Sequence, residues 1–192
     1  MKRILTILAL ACVMCSCSNK GKVLHVYSVF VPEEEAVLRT YCEEFSADEL
    51  KSRKFRKLAQ DMITTVTDPS QDGVGIAAPQ VGVSKRLIVV CRLDKEGEPF
   101  EAYANPQIDS CFGGIEVGPE GCLSIPGYRG NVPRSKSIVL TYTDVETGLP
   151  VTEVVDDYTA RIFQHEIDHT NGILYTDRTE DVFPDEETSE EE

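Results

Sequence analysis

Two of the three histidines in this chain, His165 and His169, stand four residues apart in the pentapeptide HEIDH. On an α-helix, residues i and i+4 lie one above the other, so both imidazoles can reach a single metal ion. Glu166 then lies beside that ion, where its carboxylate can accept a proton from water. The spacing predicts a helix that carries two metal ligands and a general base; the alternative is a solvated polar helix face.

A catalytic metal site needs a third protein ligand and an open coordination position. The downstream sequence HEIDHTNGILY almost completes the metzincin pattern H-E-x-x-H-x-x-G-x-x-H, but Tyr175 occupies the last His position. A phenol is a poor replacement for imidazole at neutral pH, and the remaining histidine, His25, lies far upstream. The thiolate of Cys122, in the segment EGCLSIPG, is the strongest remaining candidate. Alone, such a cysteine is more often a small buried hydrophobe.

A third segment, GVGIAAPQVG at residues 73–82, contains the spacing G-x-G-x-x-A of dinucleotide-binding loops. The context argues against a nucleotide site, because the segment follows a predicted helix and Pro79 stands where the phosphate-binding helix should run. We expect a loop that brings its backbone and Gln80 close to a ligand, with a purely structural loop as the alternative.

The pattern of apolar residues predicts one α+β domain. Helical periodicity covers residues 33–67, and a second helix is expected at 156–171, with Asp156 or Asp157 at its N-cap and Gly172 at its end. Short β-branched runs between turn residues predict strands. These runs are residues 20–32, 86–92, 100–105, 137–142 and 152–155.

The charge balance excludes one class of partner. The chain has 19 Lys and Arg against 33 Asp and Glu, a formal net charge of −14. Binding of nucleic acid needs clustered cations, so we expect no nucleic-acid partner. Nine acids and one Arg fall within residues 177–192. Such a run predicts a solvated, disordered tail.

The amino terminus has the layout of a secretory signal. Residues 1–19 contain two cations, an apolar run from residue 4 to residue 14, and then small residues with Cys. The segment is similar to a bacterial lipoprotein signal, which implies lipidation of a cysteine. Cys17 is the preferred acceptor and Cys12 the alternative, and an uncleaved start without export is the other option. The remaining cysteines have no C-x-x-C spacing, which argues against a disulfide scaffold or zinc ribbon.

Together, the three internal segments resemble one family, the peptide deformylases. The motifs are GVGIAAPQ (73–80), EGCLS (120–124) and QHEIDHTNG (164–172), in the family's order. The resemblance implies a peptide-deformylase-like fold of short, mostly antiparallel strands around a central H-E-x-x-H helix. It also implies removal of the formyl group from N-formyl-methionyl peptides, which gives formate and a free amino terminus. The implied cofactor is one divalent metal ion, commonly Fe²⁺, with Zn²⁺, Ni²⁺ or Co²⁺ able to occupy the site.

The resemblance assigns roles to individual positions. It implies three metal ligands: Cys122, His165 and His169. It implies that Glu166 is the general base and acid for the hydroxide that attacks the formyl carbon, and that the Gln80 side chain and Leu123 N–H bind the oxyanion. At Gly75 and Gly121 it implies pairing of the backbone with an extended peptide.

Two apolar residues are candidates for contact with the substrate's methionine side chain. Ile162 shares a helix face with Tyr158, His165 and His169, and Val74 lies within the first motif. The alternative is that Val74 and Ile162 are simply core residues.

We expect a signal peptide at residues 1–16, a catalytic domain at 17–178 and an acidic tail at 179–192. The protein would be a monomeric deformylase held in the bacterial cell envelope through lipidated Cys17, or else cytoplasmic. An H-E-x-x-H metallopeptidase and a non-catalytic, membrane-anchored peptide-binding module are the alternative functions.

Overall fold

The computed structural model describes residues 21–71, 73–145 and 147–185. The helices are α1 (Pro32–Leu38), α2 (Ala47–Leu50), α3 (Arg53–Val66) and α4 (Asp157–Thr170), with 3₁₀ turns at Ala78–Val81 and Tyr175–Asp177. The strands are β1 (Gly75–Ala77), β2 (Leu87–Cys91), β3 (Phe100–Gly121), β4 (Tyr128–Thr143), β5 (Pro150–Asp156) and β6 (Val182–Pro184). The predicted α+β class is confirmed.

Among the described residues, the strands form one antiparallel sheet of order β1-β2-β3-β4-β5, and β6 pairs with the start of β4. Two strands are much longer than the sequence pattern predicts, because β3 has 22 residues and β4 has 16. Gly113 and Gly114, with φ of 78° and 86°, lie inside β3 where the register shifts between Phe112 and Ile115. A β-bulge absorbs these turn-forming residues, so the strand continues through them.

Helix α4 packs its apolar side across the middle of the sheet. Phe163 and Ile167 contact the buried strand residues Ile88, Val90 and Leu140 in one core cluster. Every residue of α4 from Thr159 to Thr170 is buried. Burial of an unpaired polar group is costly, so a polar atom of α4 that has no partner inside the protein indicates a site for a ligand.

The predicted helix over residues 33–67 is divided into α1, α2 and α3. Ser46 accepts a hydrogen bond from Glu49 N–H, and Ser52 accepts one from Phe55 N–H. Each serine caps a new helix start, which is why the apolar periodicity does not produce one continuous helix. Helix α3 packs Phe55 and other apolar residues into a second core cluster.

Both ends of the described chain differ from the sequence prediction. Residues 21–29 form no strand, because their N–H groups bond mainly to side chains and isolated carbonyls. Residues 182–184 lie in β6, although the sequence analysis assigned them to a disordered tail. The β-forming Val182 and Phe183 pair with the free end of β4, opposite Gly130 and Arg129.

The signal predicted for residues 1–16, Cys12, Cys17 and the acids after residue 185 lie outside the described residues. Among the described helices, none is long and apolar enough to cross a bilayer.

Candidate active site

The three sequence motifs meet at one end of α4. The ligand atoms of Cys122, His165 and His169 all lie within 4.8 Å of one another. Cys122 follows the end of β3, and both histidines project from α4. Cys122 Sγ and His169 Nε2 lie 3.2 Å apart. Elements distant in the sequence thus bring a thiol and two imidazoles together.

The donor set fits a divalent transition-metal ion. Tetrahedral coordination with ordinary metal–sulfur and metal–nitrogen lengths separates such ligand atoms by about 3.6 Å, comparable with the observed cluster. His165 Nδ1 is 2.9 Å from a Glu120 carboxylate oxygen, which leaves Nε2 for a metal. Within the described ranges, the buried Glu166 Oε2 and His169 Nδ1 have no hydrogen-bond partner.

Glu120 holds His165 from behind and is itself held by two arginines. Arg134 donates to both Glu120 oxygens through Nε and Nη2, each at 2.9 Å, and Arg161 Nη1 donates at the same distance. Burial opposes ionisation of Glu120, but hydrogen bonds from His165 and Arg134 lower its pKa to about 2. The ionised carboxylate therefore orients one candidate ligand and compensates two buried guanidinium groups.

Arg134 also connects Glu120 to Asp168, an acidic residue of α4. Arg134 Nη1 donates to Asp168, and Arg178 donates to Asp168 through Nε at 3.0 Å. Glu120 is a functional residue that the sequence alone does not reveal, although it stands in the EGCLS motif. One signal could have identified it: Glu120 is an acidic residue two positions before the candidate ligand Cys122, and the chain has arginines that could pair with it.

Glu166 faces the cavity from α4 and is only 4% exposed. Burial raises its pKa to about 7. A carboxyl group whose pKa lies near the working pH can both accept and return a proton. A Cβ placed on Gly75 would be 2.5 Å from Glu166 Oε1, so β1 passes closely over this side chain.

Gln80 reaches the same centre from the 3₁₀ turn after β1. Its Oε1 accepts a hydrogen bond from Ala77 N–H at 2.8 Å. Its Nε2 donates to Ser124 Oγ at 3.1 Å and lies 3.6 Å from Cys122 Sγ. The amide is therefore held at both ends, with its NH₂ group directed toward the candidate metal ligands. Ser124 was not identified as a site residue in the sequence analysis.

A cavity of about 650 Å³ opens beside these groups. Its polar end is formed by Gln80, Glu120, Cys122, His165 and Glu166. Val74, Ile162, Leu123, Ile125 and Tyr158 supply much of its apolar wall. Val74 is 40% exposed and is not a core residue, whereas Ile162 is 4% exposed and belongs to the hydrophobic core as well as to the cavity wall. Gly75 and Gly121 line the same cavity.

The other candidate ligands lie outside the cluster. His25 pairs with Glu34 at 2.7 Å, and Cys42 and Cys91 are buried elsewhere. Tyr175 donates its hydroxyl to Tyr128 O at 3.2 Å, while its ring stacks on His165 with centroids 6.2 Å apart. Tyr175 therefore supports a ligand and does not replace the last metzincin histidine.

An antiparallel α+β domain with a strand-end cysteine facing an H-E-x-x-H helix defines a class of metalloprotein with a mixed thiolate and imidazole ligand set. Comparison with known proteins gives a narrower assignment. The family model "Polypeptide deformylase" matches residues 28–183. The chain belongs to this family.

Relatives and solved structures agree with the assignment. A peptide deformylase from Symbiobacterium thermophilum is 49% identical over 137 residues, which are 71% of this chain and 61% of that protein. One from Roseiflexus castenholzii is 33% identical over 180 residues, 88% of this chain and 95% of that protein. The actinonin-bound class I type b peptide deformylase from Acinetobacter baumannii has a TM-score of 0.72 at 36% identity, covering 83% of this chain and 99% of that chain. The chain spans 61% to 66% of the length of the first curated relatives it matches.

Proposed function

We propose that this protein is a metal-dependent hydrolase that removes the formyl group from N-formyl-methionyl peptides. The observation that carries the proposal is the grouping of the Cys122, His165 and His169 ligand atoms within 4.8 Å of one another, beside a cavity that Glu166 also lines. Family membership and the resemblance to a structure described as Met-Ala-Ser bound support a peptide substrate. The position of Tyr175 gives a metzincin-type peptidase no third imidazole, so that alternative is not favoured.

Cys122, His165 and His169 would hold one divalent ion. When bound, the ion lowers the pKa of water and polarises a carbonyl oxygen. Thiolate and imidazole donors accept Fe²⁺, Zn²⁺, Ni²⁺ or Co²⁺. We expect Fe²⁺ in the cell on the basis of the family resemblance. Glu120 keeps the His165 ring oriented, because it accepts a hydrogen bond from Nδ1.

Glu166 and two hydrogen-bond donors would perform the proton and charge transfers. Glu166 accepts a proton from water, so that the resulting oxygen nucleophile attacks the formyl carbon. The Gln80 amide and the Leu123 N–H then donate to the oxygen that becomes negatively charged, each contributing about 3 kcal/mol. Glu166 returns the proton to the leaving amine nitrogen, which releases formate and the free amino terminus.

The sheet edge would orient the peptide. Strand β1 pairs with β2 along one side and is the terminal strand of the described sheet. An extended peptide can add to such an edge through backbone hydrogen bonds, and Gly75 and Gly121 border the cavity where it would lie. The methionine side chain would then contact Val74 and Ile162.

The direct test is release of formate from formyl-Met-Ala-Ser by the full chain loaded anaerobically with Fe²⁺ or Ni²⁺. We expect formate and free Met-Ala-Ser in equal amounts. Acetyl-Met-Ala-Ser serves as the control substrate. It can make the same contacts with the apolar wall and with the peptide-binding backbone, and it differs only in its larger acyl group. An absence of formate from fully loaded protein contradicts the proposal, and cleavage of the peptide bonds would favour a peptidase.

We further propose that residues 1–16 are removed as a signal and that Cys17 is lipidated, which would anchor a monomeric enzyme in the cell envelope. The cations, apolar run and small residues of this segment support the proposal. An exported enzyme would act on released formyl peptides. Mass spectrometry of the mature amino terminus, with C17A as control, tests it; an intact Met1 favours the cytoplasmic alternative.

A further inference from the structure

The segment that precedes α1 makes regular contacts on two sides. We define it as the N-terminal brace, residues 22–29. Toward α3, Lys22 N–H donates to Asp61 Oδ1 at 2.7 Å and Leu24 N–H donates to Thr65 Oγ1 at 2.9 Å. Most of the brace precedes residue 28, where the match to the family model begins. The two bonds to Asp61 and Thr65 fix its position against α3.

Toward the active site, the brace bonds to both segments that carry the proposed oxyanion donors. Tyr27 N–H donates to the backbone carbonyl of Gln80 at 2.8 Å, and Val29 N–H donates to that of Ser124 at 3.0 Å. Residues two apart in an extended chain direct their N–H groups to the same side. One short stretch thus connects the Gln80 turn to the residue that follows Leu123.

Additional contacts keep this stretch in place. Glu34, in the first turn of α1, accepts a hydrogen bond from Ser28 N–H at 2.7 Å and pairs with His25. The Tyr27 phenol packs so closely against Gly82 that an added Cβ there would be 2.5 Å from its oxygen. Val29 packs against the cluster that contains Ile125. Movement of the brace would therefore displace both the Gln80 turn and the segment that contains Leu123 and Ser124.

We propose that the N-terminal brace is a positioning element for oxyanion binding, acting through the N–H groups of Tyr27 and Val29. This inference rests on the proposed deformylase function. The Gln80 amide and the Leu123 N–H belong to separate loops, joined directly by the hydrogen bond between Gln80 Nε2 and Ser124 Oγ. The brace adds two backbone bonds that do not depend on side chains, and it fixes the separation of the two donors.

The experiment removes each N–H by substitution with proline in the full chain. Y27P and V29P each lose one donor, whereas V23P is the matched control, because no hydrogen bond from the Val23 N–H is found in the described part of the chain. We expect Y27P and V29P to lower kcat for formyl-Met-Ala-Ser about 10-fold, with KM within about 2-fold and full metal content, since small displacements of catalytic groups cost rate. Values of kcat equal to that of V23P overturn the proposal.

Hydrogen exchange provides a readout that does not depend on activity. In V29P and Y27P, the backbone amides of Ile125 and Gly82, which donate to Cys122 O and Pro79 O, should exchange faster than in V23P, while those in the middle of α4 remain unchanged. Unchanged exchange at both residues overturns the proposal for the brace, whether or not the wild type releases formate. Failure of the wild type to release formate would refute the proposed function, which is a separate result. If the proline variants do not fold, E34A provides the test, because Glu34 holds the brace through Ser28 N–H and His25. A several-fold fall in kcat at full metal content supports the proposal, and unchanged kcat overturns it.

Discussion

Gly75 shows how one backbone position depends on a side chain distant in the sequence. Its φ is not in the left-handed region, so no turn requires glycine there. The requirement is space, because a Cβ would lie 2.5 Å from Glu166 Oε1 and 2.9 Å from its Cδ. The family resemblance implies that the Gly75 backbone pairs with a peptide. The structure shows a second reason for glycine at this position, which is the close approach of the Glu166 carboxylate.

Replacement of Gly75 by Ala should therefore displace Glu166. We expect G75A to bind metal at wild-type stoichiometry and to lose about 100-fold in kcat, the scale associated with a displacement of about 1 Å. Steady-state kinetics combined with metal analysis test this prediction. A variant with normal kcat would show that Glu166 can shift without consequence.

The candidate ligand Cys122 can be tested against an exposed cysteine of the same chain. C122A should lose tight metal binding, because two imidazoles alone leave the site without its thiolate. C111A is the matched control, since Cys111 is exposed and lies outside the ligand cluster. Metal content after gel filtration distinguishes them; equal stoichiometry in both variants would exclude Cys122 as a ligand.

At the scale of elements, β3, β4 and α4 are joined by one buried cluster of charges. Glu120 is the next-to-last residue of β3, Arg134 belongs to β4, and Arg161 and His165 belong to α4. Arg161 also donates to the carbonyls of Glu116 and Val132, so it attaches the helix to both long strands. Removal of the central carboxylate would leave two buried guanidinium groups without their shared partner.

E120Q should therefore destabilise the metal-free protein by about 3–5 kcal/mol, the usual cost of breaking a buried ion pair. K95Q removes one partner of the partly exposed Lys95–Glu101 pair and should cost less than about 1 kcal/mol. Urea unfolding of both variants without metal measures the difference. Similar losses in the two variants would mean that the Glu120 cluster is not a major source of stability.

Sequence patterns predict elements unequally well, as α4 and β1 show. The limits of α4 were predicted within one residue, because Asp156 and Gly172 flank an uninterrupted helical pattern. Strand β1 was predicted as a loop, since GVGIAAPQ is rich in Gly and contains Pro. It becomes a strand because residues 75–77 pair with β2, and such pairing is a tertiary contact that local propensity does not report.

In the molecule as a whole, the metal should contribute to stability, since its candidate ligands come from α4 and from the residue that follows β3. An ion present at about 1,000 times its Kd stabilises the folded state by about 4 kcal/mol. For a domain of this size each kcal/mol raises Tm by about 2–4 °C. Chelation should therefore lower Tm by about 8–16 °C.

Thermal unfolding with and without chelator measures this shift. The shift should shrink as pH falls, because metal binding requires deprotonated thiol and imidazole groups. C122A should show little response to chelator at any pH. A wild-type Tm that does not depend on metal would contradict the proposed site.

The H-E-x-x-H spacing is enough to predict that a helix presents two imidazoles on one face with a carboxylate beside them, because helix geometry is local. The three motifs together were enough for the family and the candidate ligands. Three features could be seen only in the folded protein. Glu120, with Arg134 and Arg161, orients His165; Gly75 has no side chain where Glu166 packs; and residues 22–29 bond to the Gln80 and Ser124 segments. These are contacts between residues far apart in the chain, and their formation depends on burial and packing that no local pattern encodes.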